Sequence, residues 1–221
     1  LRSNPEYQYL STNYMIQYNW RRFLDVDDPR HVDFMRALYD QTIFELDKKL
    51  GRFFKTLEET GLKENTMVII LSDHGEEFME HGYPFHLTLY NNNIHVPLIV
   101  SLPGHDALVI DKNVEHIDVF PTILDLVKIN YDFPEANLKG SNLFSQPNQD
   151  KLIISDNYDN TRSIIYRNWK LHLIEKDDGA GYLPLSLYDL NQDFYETHDV
   201  LLQNLEVVDS ILLKHDLYQE R

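Results

Sequence analysis

Cysteine is absent from these 221 residues, so the chain forms no disulfide, and that absence does not choose a cellular compartment. No run approaches the roughly 18 to 20 apolar residues of a membrane span, and no signal peptide is visible at the start. Basic residues are also scarce: 20 Lys and Arg face 36 Asp and Glu, for a formal net charge of -16. Because nucleic-acid binders carry basic patches, this charge argues against nucleic acid as a partner.

Low-complexity tracts and internal repeats are absent as well, which excludes a repeat array. Hydrophobic residues make up 43% of the chain and aromatic residues 12%. This composition is sufficient for a packed core and excludes a disordered polypeptide. At 221 residues, the chain has the length of one domain or one and a half.

The clearest chemical signal follows a short apolar run at residues 67–71, MVIIL, which is rich in β-branched side chains. Such a run predicts a parallel strand covered on both faces in an α/β sheet, and ligands bind beyond the carboxyl ends of these strands. Asp73 and His74 stand at that end, and Gly75 permits a turn that lets both side chains meet one ion. A carboxylate beside an imidazole suits zinc, manganese or a similar divalent ion.

A motif this short recurs by accident, so an alternative interpretation stays open at this point. Asp73 could cap a following helix while His74 is an ordinary polar loop residue. The next two residues, Glu76 and Glu77, are adjacent and therefore poorly placed to flank one bond as glycosidase carboxylates do. We predict instead that they begin a short helix, because acidic residues suit the positive end of the helix dipole.

Further motifs follow in a consistent order along most of the chain. They are Ala37-Leu38-Tyr39-Asp40, Gly61-Leu62, Asn65-Thr66, Ser72-Asp73-His74-Gly75-Glu76-Glu77-Phe78, Glu80-His81-Gly82, Leu89-Tyr90, Val96-Pro97-Leu98-Ile99, His116-Ile117-Asp118-Val119-Phe120-Pro121-Thr122, Gly140-Ser141-Asn142-Leu143, Trp169-Lys170 and Leu187-Tyr188-Asp189-Leu190. In this order they resemble the sulfatase family of the alkaline phosphatase superfamily. Several loose motifs in order are more specific than any one alone.

The resemblance implies an α/β fold. We expect the C-terminal part of an alkaline-phosphatase-like α/β sandwich, followed by a small antiparallel sheet with a terminal helix. The corresponding domains are residues 1–129 as part of the catalytic domain, residues 130–150 as a connector, and residues 151–221 as a C-terminal α+β subdomain. Residues 1–27 are crowded with aromatic side chains that show little period.

The resemblance also implies that part of the site is missing. Sulfatases carry a formylglycine nucleophile, made from cysteine or serine in a Cys/Ser-x-Pro-x-Arg motif, and two further metal carboxylates well before the segment seen here. This sequence has neither cysteine nor such a serine motif, and it begins at Leu1. We therefore expect the C-terminal portion of a longer protein, whose N-terminal part is its partner. The sheet edge left exposed would favour self-association.

By the same resemblance, Asp73 and His74 are metal ligands and His86 is the catalytic and substrate-binding candidate. His86 lies four residues before Tyr90, where sulfatases place a lysine or histidine that touches the transferred group. His81 is a further substrate-binding candidate, with a structural hydrogen-bonding role as the alternative. The implied cofactor is a divalent metal ion, Ca²⁺ for a sulfatase and Zn²⁺ or Mn²⁺ for phosphoryl transfer.

Three functions remain open. The first is a metal-dependent hydrolase of sulfate esters, whose substrate is an anionic ester. The second is a phosphodiesterase or phosphoglycerol or phosphoethanolamine transferase of the same superfamily, which His74 favours because many sulfatases have asparagine there. The third is a non-catalytic remnant domain that keeps only the fold. The family resemblance alone suggests an extracytoplasmic location, whether periplasmic, secreted or lysosomal.

The remaining pattern predicts scaffold. Apolar residues at three- and four-residue spacing after Asp28 and Pro29 predict one long helix to Gly61, with its aromatic residues in the core. Residues 94–102 predict a second buried strand, and Asp118 is expected to cap a helix that continues to about Lys128. Four short strands and a last helix are predicted at residues 151–155, 163–167, 169–174, 186–190 and 200–218.

Overall fold

The computed structural model describes residues 25–129, 140–145, 148, 150–176, 179 and 181–219. Two compact units are present: the first comprises residues up to 88 together with 95–105, and the second comprises 89–94 together with 106 onwards. The aromatic-rich residues 1–24 and most of the predicted connector, residues 130–139, 146, 147 and 149, lie outside the described residues.

Within the described residues, the first helix of this unit is α1, Pro29–Glu59, as the sequence predicted. Asp28 is its N-cap and accepts a hydrogen bond from the backbone N–H of Arg30 at 2.9 Å. The helix ends before Gly61, whose φ of 71° lies in the left-handed region. The prediction that its aromatics are core is wrong for most of them: Phe34 is buried beside Met35, but Tyr39, Phe44, Phe53 and Phe54 are exposed, Phe53 to 45%.

Strand β1, Val68–Leu71, pairs with β4, Leu98–Ser101. The pairing is antiparallel, Val68 opposite Ser101, so the parallel partners predicted for residues 67–71 are not found within the described ranges. The predicted strand at residues 94–102 is shorter than expected, because residues 91–94 form a helical turn, α2 (Asn91–Ile94). Both strands are only partly covered, as exposed Leu71 and Ile99 illustrate.

Strands β2, Glu77–Phe78, and β3, Pro84–Phe85, form a small antiparallel hairpin. The prediction that Glu76 and Glu77 begin a helix is therefore wrong. Met79 adopts a φ of 73°, which a helix does not allow, and its backbone N–H donates to the carbonyl of Tyr83 at 3.2 Å. Pairing with β3 therefore determines the backbone conformation of this segment, and local helix propensity does not predict that pairing.

The second unit is built on four antiparallel strands in sequential order: β5 (Leu152–Asp156), β6 (Thr161–Tyr166), β7 (Trp169–Glu175) and β8 (Tyr182–Asp189). The small antiparallel sheet predicted from the sequence is present. Its core consists of buried apolar side chains from the sheet and from the terminal helix: Leu152, Ile164, Tyr166, Leu171, Leu173, Leu187, Val208 and Ile211. Full burial of one such side chain stabilises the fold by about 1.5–3 kcal/mol.

This unit also contains helices α3 (Val119–Leu126) and α4 (Leu205–Gln219). The terminal helix starts later than predicted, because a 3₁₀ turn occupies Leu201–Gln203. Asp118 was predicted to cap the helix that follows it, but its side chain makes no such bond. Its buried carboxylate instead accepts hydrogen bonds from the backbone N–H groups of Glu115 (2.9 Å) and Ser141 (2.7 Å) and from the ammonium of Lys151 (2.5 Å).

The turn after β8 carries Glu196 with a φ of 56°. Its carboxylate is buried and accepts hydrogen bonds from Lys170 and His172 of β7 and from the backbone N–H of Asn91. Segment 89–94 is thus held within the second unit, although the residues on either side of it belong to the first.

Candidate active site

Extended structure ends at Leu71, and residues 72–76 form an irregular segment that carries Asp73 and His74. Successive side chains of a strand point to opposite faces, but this segment brings the two residues together. Asp73 Oδ1 accepts a hydrogen bond from the backbone N–H of His74 at 3.0 Å, and Asp73 Oδ2 lies 3.7 Å from His74 Nε2. The Asp73 side chain is 88% exposed.

The tautomer of His74 follows from its neighbour. His74 Nδ1 lies 2.8 Å from the backbone carbonyl oxygen of Gly75, which can only accept a hydrogen bond. Nδ1 therefore carries a proton, and Nε2, on the side of Asp73, is the nitrogen that could bind a metal ion. Metal-binding histidines are oriented by hydrogen bonds of this kind.

His86 lies directly after β3 and stacks on His74, with 4.2 Å between the ring centroids and 26° between the ring planes. Burial lowers the pKa of His86 below its ordinary value, and the nearby charge of His74 lowers that pKa further. The pKa of Asp73 is also lowered, chiefly because its carboxylate accepts the backbone N–H of His74. The structure therefore brings together all three residues that the sequence proposed as principal site residues.

Glu76 is a member of this cluster that sequence reasoning missed. Its carboxyl oxygen Oε1 lies 3.7 Å from His86 Nδ1. Burial raises the pKa of Glu76 to about 7, against the opposing effect of the His74 charge. Among the described residues, Oε1 has no hydrogen-bond partner. The sequence carries no local signal for this burial, because Glu76 follows a turn and precedes a two-residue strand.

His81, the second substrate-binding candidate, has a buried carboxylate partner. Its Nδ1 lies 2.5 Å from Oε1 of Glu77, whose side chain is completely shielded from solvent. The other Glu77 oxygen accepts a hydrogen bond from the hydroxyl of Thr88. These contacts fasten the hairpin that precedes His86, and the substrate-binding role of His81 stays a prediction.

A family model described as Sulfatase matches residues 6–129, which is more than half of the 221 residues. The chain belongs to the sulfatase family. Arylsulfatase K from Bos taurus is 32% identical over 193 residues, which cover 80% of this chain and 35% of that relative. The multifunctional alkaline phosphatase superfamily protein PehA from Trinickia caryophylli is 37% identical over 94 residues, 41% of this chain and 18% of that protein. The chain thus spans about a third or less of the curated relatives it matches.

Solved structures show the same fold. The phosphonate monoester hydrolase of Agrobacterium radiobacter superimposes with a TM-score of 0.69 at 23% identity, covering 85% of this chain and 42% of the other. BT4656, solved in complex with its substrate D-glucosamine-2-N,6-O-disulfate, gives a TM-score of 0.68 at 19% identity, covering 86% and 41%. These matches confirm the predicted alkaline-phosphatase-like α/β fold.

The family implies a divalent metal ion, usually Ca²⁺, and formylglycine. Asp73 and His74 fit a metal in kind and in spacing, since the donor atoms of a tetrahedral site about 2.0–2.2 Å from the ion lie roughly 3.3–3.6 Å apart, and the two atoms here are 3.7 Å apart. Within the described ranges, no group of three or more His, Asp or Glu side chains could hold a metal ion. A metal ion at this position would therefore need ligands in addition to these two residues.

Proposed function

We propose that this chain forms part of a metal-dependent hydrolase of sulfate esters, in which Asp73 and His74 bind the metal and His86 contacts the ester. One observation carries the proposal. Asp73 Oδ2 and His74 Nε2 approach to 3.7 Å just beyond the end of β1, and the ring of His86 stacks on the second of these ligands.

The charge of the substrate explains why a cation is needed. A sulfate ester carries a negative charge, and at about 4 Å from a bare carboxylate it would be repelled by about 4 kcal/mol at an effective dielectric near 20. A divalent ion bound by Asp73 and His74 would reverse the local sign and polarise the ester. The acidity of the whole chain, with its net charge of -16, makes this reversal necessary for any anionic substrate.

His86 provides the second chemical function. The alkoxide that leaves the sulfur needs a proton, and an imidazole within hydrogen-bond reach can donate it. His86 is about 70% buried and lies against His74, so it adjoins the proposed metal position while keeping some access to solvent. The nucleophile, formylglycine in this family, is expected outside the 221 residues.

A second candidate is phosphoryl or phosphonyl transfer at the same site. His74 occupies the position where many sulfatases have asparagine, and imidazole suits Zn²⁺ or Mn²⁺ better than Ca²⁺. The similarity to the phosphonate monoester hydrolase and to PehA supports this candidate. The nucleophile would then be threonine or serine.

Two measurements separate the two candidates. They are the amino-acid sequence upstream of Leu1 and the intact mass of the longest natural form of the protein that contains this chain. A Cys/Ser-x-Pro-x-Arg motif with the mass of formylglycine supports the sulfatase. An unmodified threonine or serine supports phosphoryl transfer. The absence of any such residue contradicts both.

Turnover provides the matching functional test. We expect the longest natural form of the protein to hydrolyse an aryl sulfate faster than a phosphodiester. We also expect a metal chelator to abolish its activity. His86→Gln should reduce turnover by about 10²- to 10⁴-fold, the usual contribution of a general acid. His105→Gln, at an exposed position in the same unit, is the matched control. Equal turnover in both variants would remove His86 from the mechanism.

The partners and location follow from the same proposal. The partner in the reaction is an anionic ester, and the partner in the fold is the part of the longer protein that carries the nucleophile. None of the helices in the described part of the chain is long and apolar enough to span a bilayer. The extracytoplasmic location rests on the family resemblance alone.

A further inference from the structure

Glu76 and His86 form a pair at the edge of the proposed site. Oε1 of Glu76 lies 3.7 Å from His86 Nδ1, and the two side chains retain only 20% and 28% of their exposure. A second contact orients His86 from another side: the ring of His74 stacks on the face of the His86 ring, with 4.2 Å between the ring centroids. The stacking contact with His74 defines the plane of the His86 ring, and the contact between Glu76 and Nδ1 defines how the ring is turned within that plane.

We propose that Glu76 is a positioning residue for His86: its carboxylate accepts the Nδ1–H of His86, so that Nε2 faces the ester, and the protonated ring gives its Nε2 proton to the leaving oxygen and returns to the neutral Nδ1–H form. This inference rests on the proposed role of His86. It adds the orientation of that residue, which neither the motifs nor the two metal ligands define. Carboxylates orient catalytic histidines in this way in hydrolases of unrelated folds.

The present separation is compatible with the proposal. A distance of 3.7 Å is longer than a hydrogen bond, but catalytic hydrogen bonds are often long in the free protein and tighten when substrate binds. Glu76 Oε1 also has no other hydrogen-bond partner among the described residues, so the contact with His86 would satisfy a buried acceptor.

Nuclear magnetic resonance of the chain with ¹⁵N-labelled histidine reads the tautomer of His86 directly. The His86 signals are assigned by their loss in His86→Gln, and the spectra are recorded with and without Mg²⁺. We expect the Nδ1–H tautomer in the wild type and in Glu76→Gln, because the amide oxygen can still accept. In Glu76→Met we expect a mixture of tautomers. An unchanged tautomer in Glu76→Met overturns the proposal.

The turnover catalysed by the longest natural form of the protein is a second test of the positioning role of Glu76. Glu76→Met should lower kcat by about 10-fold, at the low end for loss of a supporting partner, with KM nearly unchanged. Glu76→Gln should recover most of the loss. Glu59→Gln, at an exposed position on α1, is the matched control. Glu76→Ala repeats the comparison if Glu76→Met does not fold.

Different results would contradict the proposed catalytic role of His86 and the proposed positioning role of Glu76. If His86→Gln reduces turnover but Glu76→Met does not, the proposed function stands and the positioning role is overturned. If His86→Gln has wild-type turnover, the proposed function of His86 is contradicted, and the catalytic consequence of Glu76 falls with it.

Discussion

Lys170 Nζ lies 2.9 Å from Glu196, and neither side chain is exposed to solvent. His172 Nε2 reaches the same carboxylate at 2.9 Å, and the backbone N–H of Asn91 donates to it at 2.6 Å. Burial alone would raise the pKa of Glu196, but the hydrogen bond from His172 and the charge of Lys170 outweigh burial and lower it. Desolvating two charges costs several kcal/mol each, so the pair is tolerable only because nearly every donor has an acceptor.

Removing one member of this pair should be severe. Glu196→Gln leaves the ammonium of Lys170 buried without its counter-charge, and we expect the free energy of unfolding to fall by about 3–5 kcal/mol. Urea denaturation measures the change. Glu206→Gln, exposed on α4, is the control and should change stability by less than about 0.5 kcal/mol. A similarly small effect of Glu196→Gln would show that Lys170 is neutral or hydrated in the native protein.

Gly140 offers a prediction with an internal control. A Cβ atom at this position would lie 1.9 Å from the carbonyl oxygen of Ile117, so Gly140→Ala forces the backbone apart. We expect a loss of about 1–3 kcal/mol. In α1, a Cβ at Gly51 would meet nothing within 4 Å, and Gly51→Ala should stabilise the helix by about 0.5–1 kcal/mol. Thermal melting of both variants should give shifts of opposite sign, and two shifts of the same sign would contradict the geometry.

His215 should make the second unit sensitive to acid. Its Nε2 accepts a hydrogen bond from Arg162 Nη1 at 2.7 Å, so the ring is neutral in the folded state. Burial and the charge of Arg162 lower the pKa of His215 below its ordinary value of 6.5, against the opposing effects of Asp216 and Asp156. The unfolded chain therefore takes up a proton first, and stability falls as the pH drops below 6.5.

The measurement is the free energy of unfolding against pH for the wild type and His215→Gln. Glutamine can still accept from Arg162 but does not titrate, so its stability should depend less steeply on pH below neutrality. His198→Gln, at an exposed position, is the control and should follow the wild type. Parallel curves for wild type and His215→Gln would exclude His215 as the source of the acid sensitivity.

The isolated 221-residue chain should bind divalent metal weakly, because Asp73 and His74 would supply two ligands and no group of three or more possible ligands occurs among the described residues. We expect dissociation constants of about 0.1 mM or weaker for Ca²⁺ and Mn²⁺ by calorimetry, in the range of weak extracellular sites. Asp73→Asn should weaken binding further, whereas Asp106→Asn, exposed on the surface, should leave it unchanged. The chain should hydrolyse neither sulfate nor phosphate esters efficiently. Clear turnover that Asp73→Ala abolishes would mean that these residues include a nucleophile.

Local signals predicted the parts of the fold that depend on neighbours in sequence. Asp28 and Gly61 bracket α1 because a cap and a left-handed residue act within one turn. The four strands of the C-terminal sheet were predicted because alternation and turn residues are local too. The hairpin at Glu77 was missed, because a two-residue strand forms only when Pro84 and Phe85 lie beside it.

The residues of the candidate site also fall into those that local sequence motifs predicted and those that depend on distant parts of the chain. Asp73, His74 and His86 were predicted as site residues because they belong to an ordered set of motifs around one strand, and the structure places their side chains together. Glu76 was missed because its burial depends on how the chain folds back from β3, and the sequence pattern does not report burial. The buried Lys170 was missed for a stronger reason: its partners Asn91 and Glu196 lie 79 and 26 positions away.

The course of the chain through residues 89–105 has a consequence for any attempt to divide the protein. Residues 89–94 belong to the second unit, residues 95–105 to the first, and the chain enters the second again at Asp106. A gene split after His105 would therefore encode an N-terminal piece in which Asn91 has lost both Glu196 and the carbonyl of Phe194, its hydrogen-bond acceptors. The N-terminal piece would keep both segments of the first unit, but the C-terminal piece would lack residues 89–94 of the second. The halves would therefore have to be produced together, and fragment complementation would be the natural way to study them.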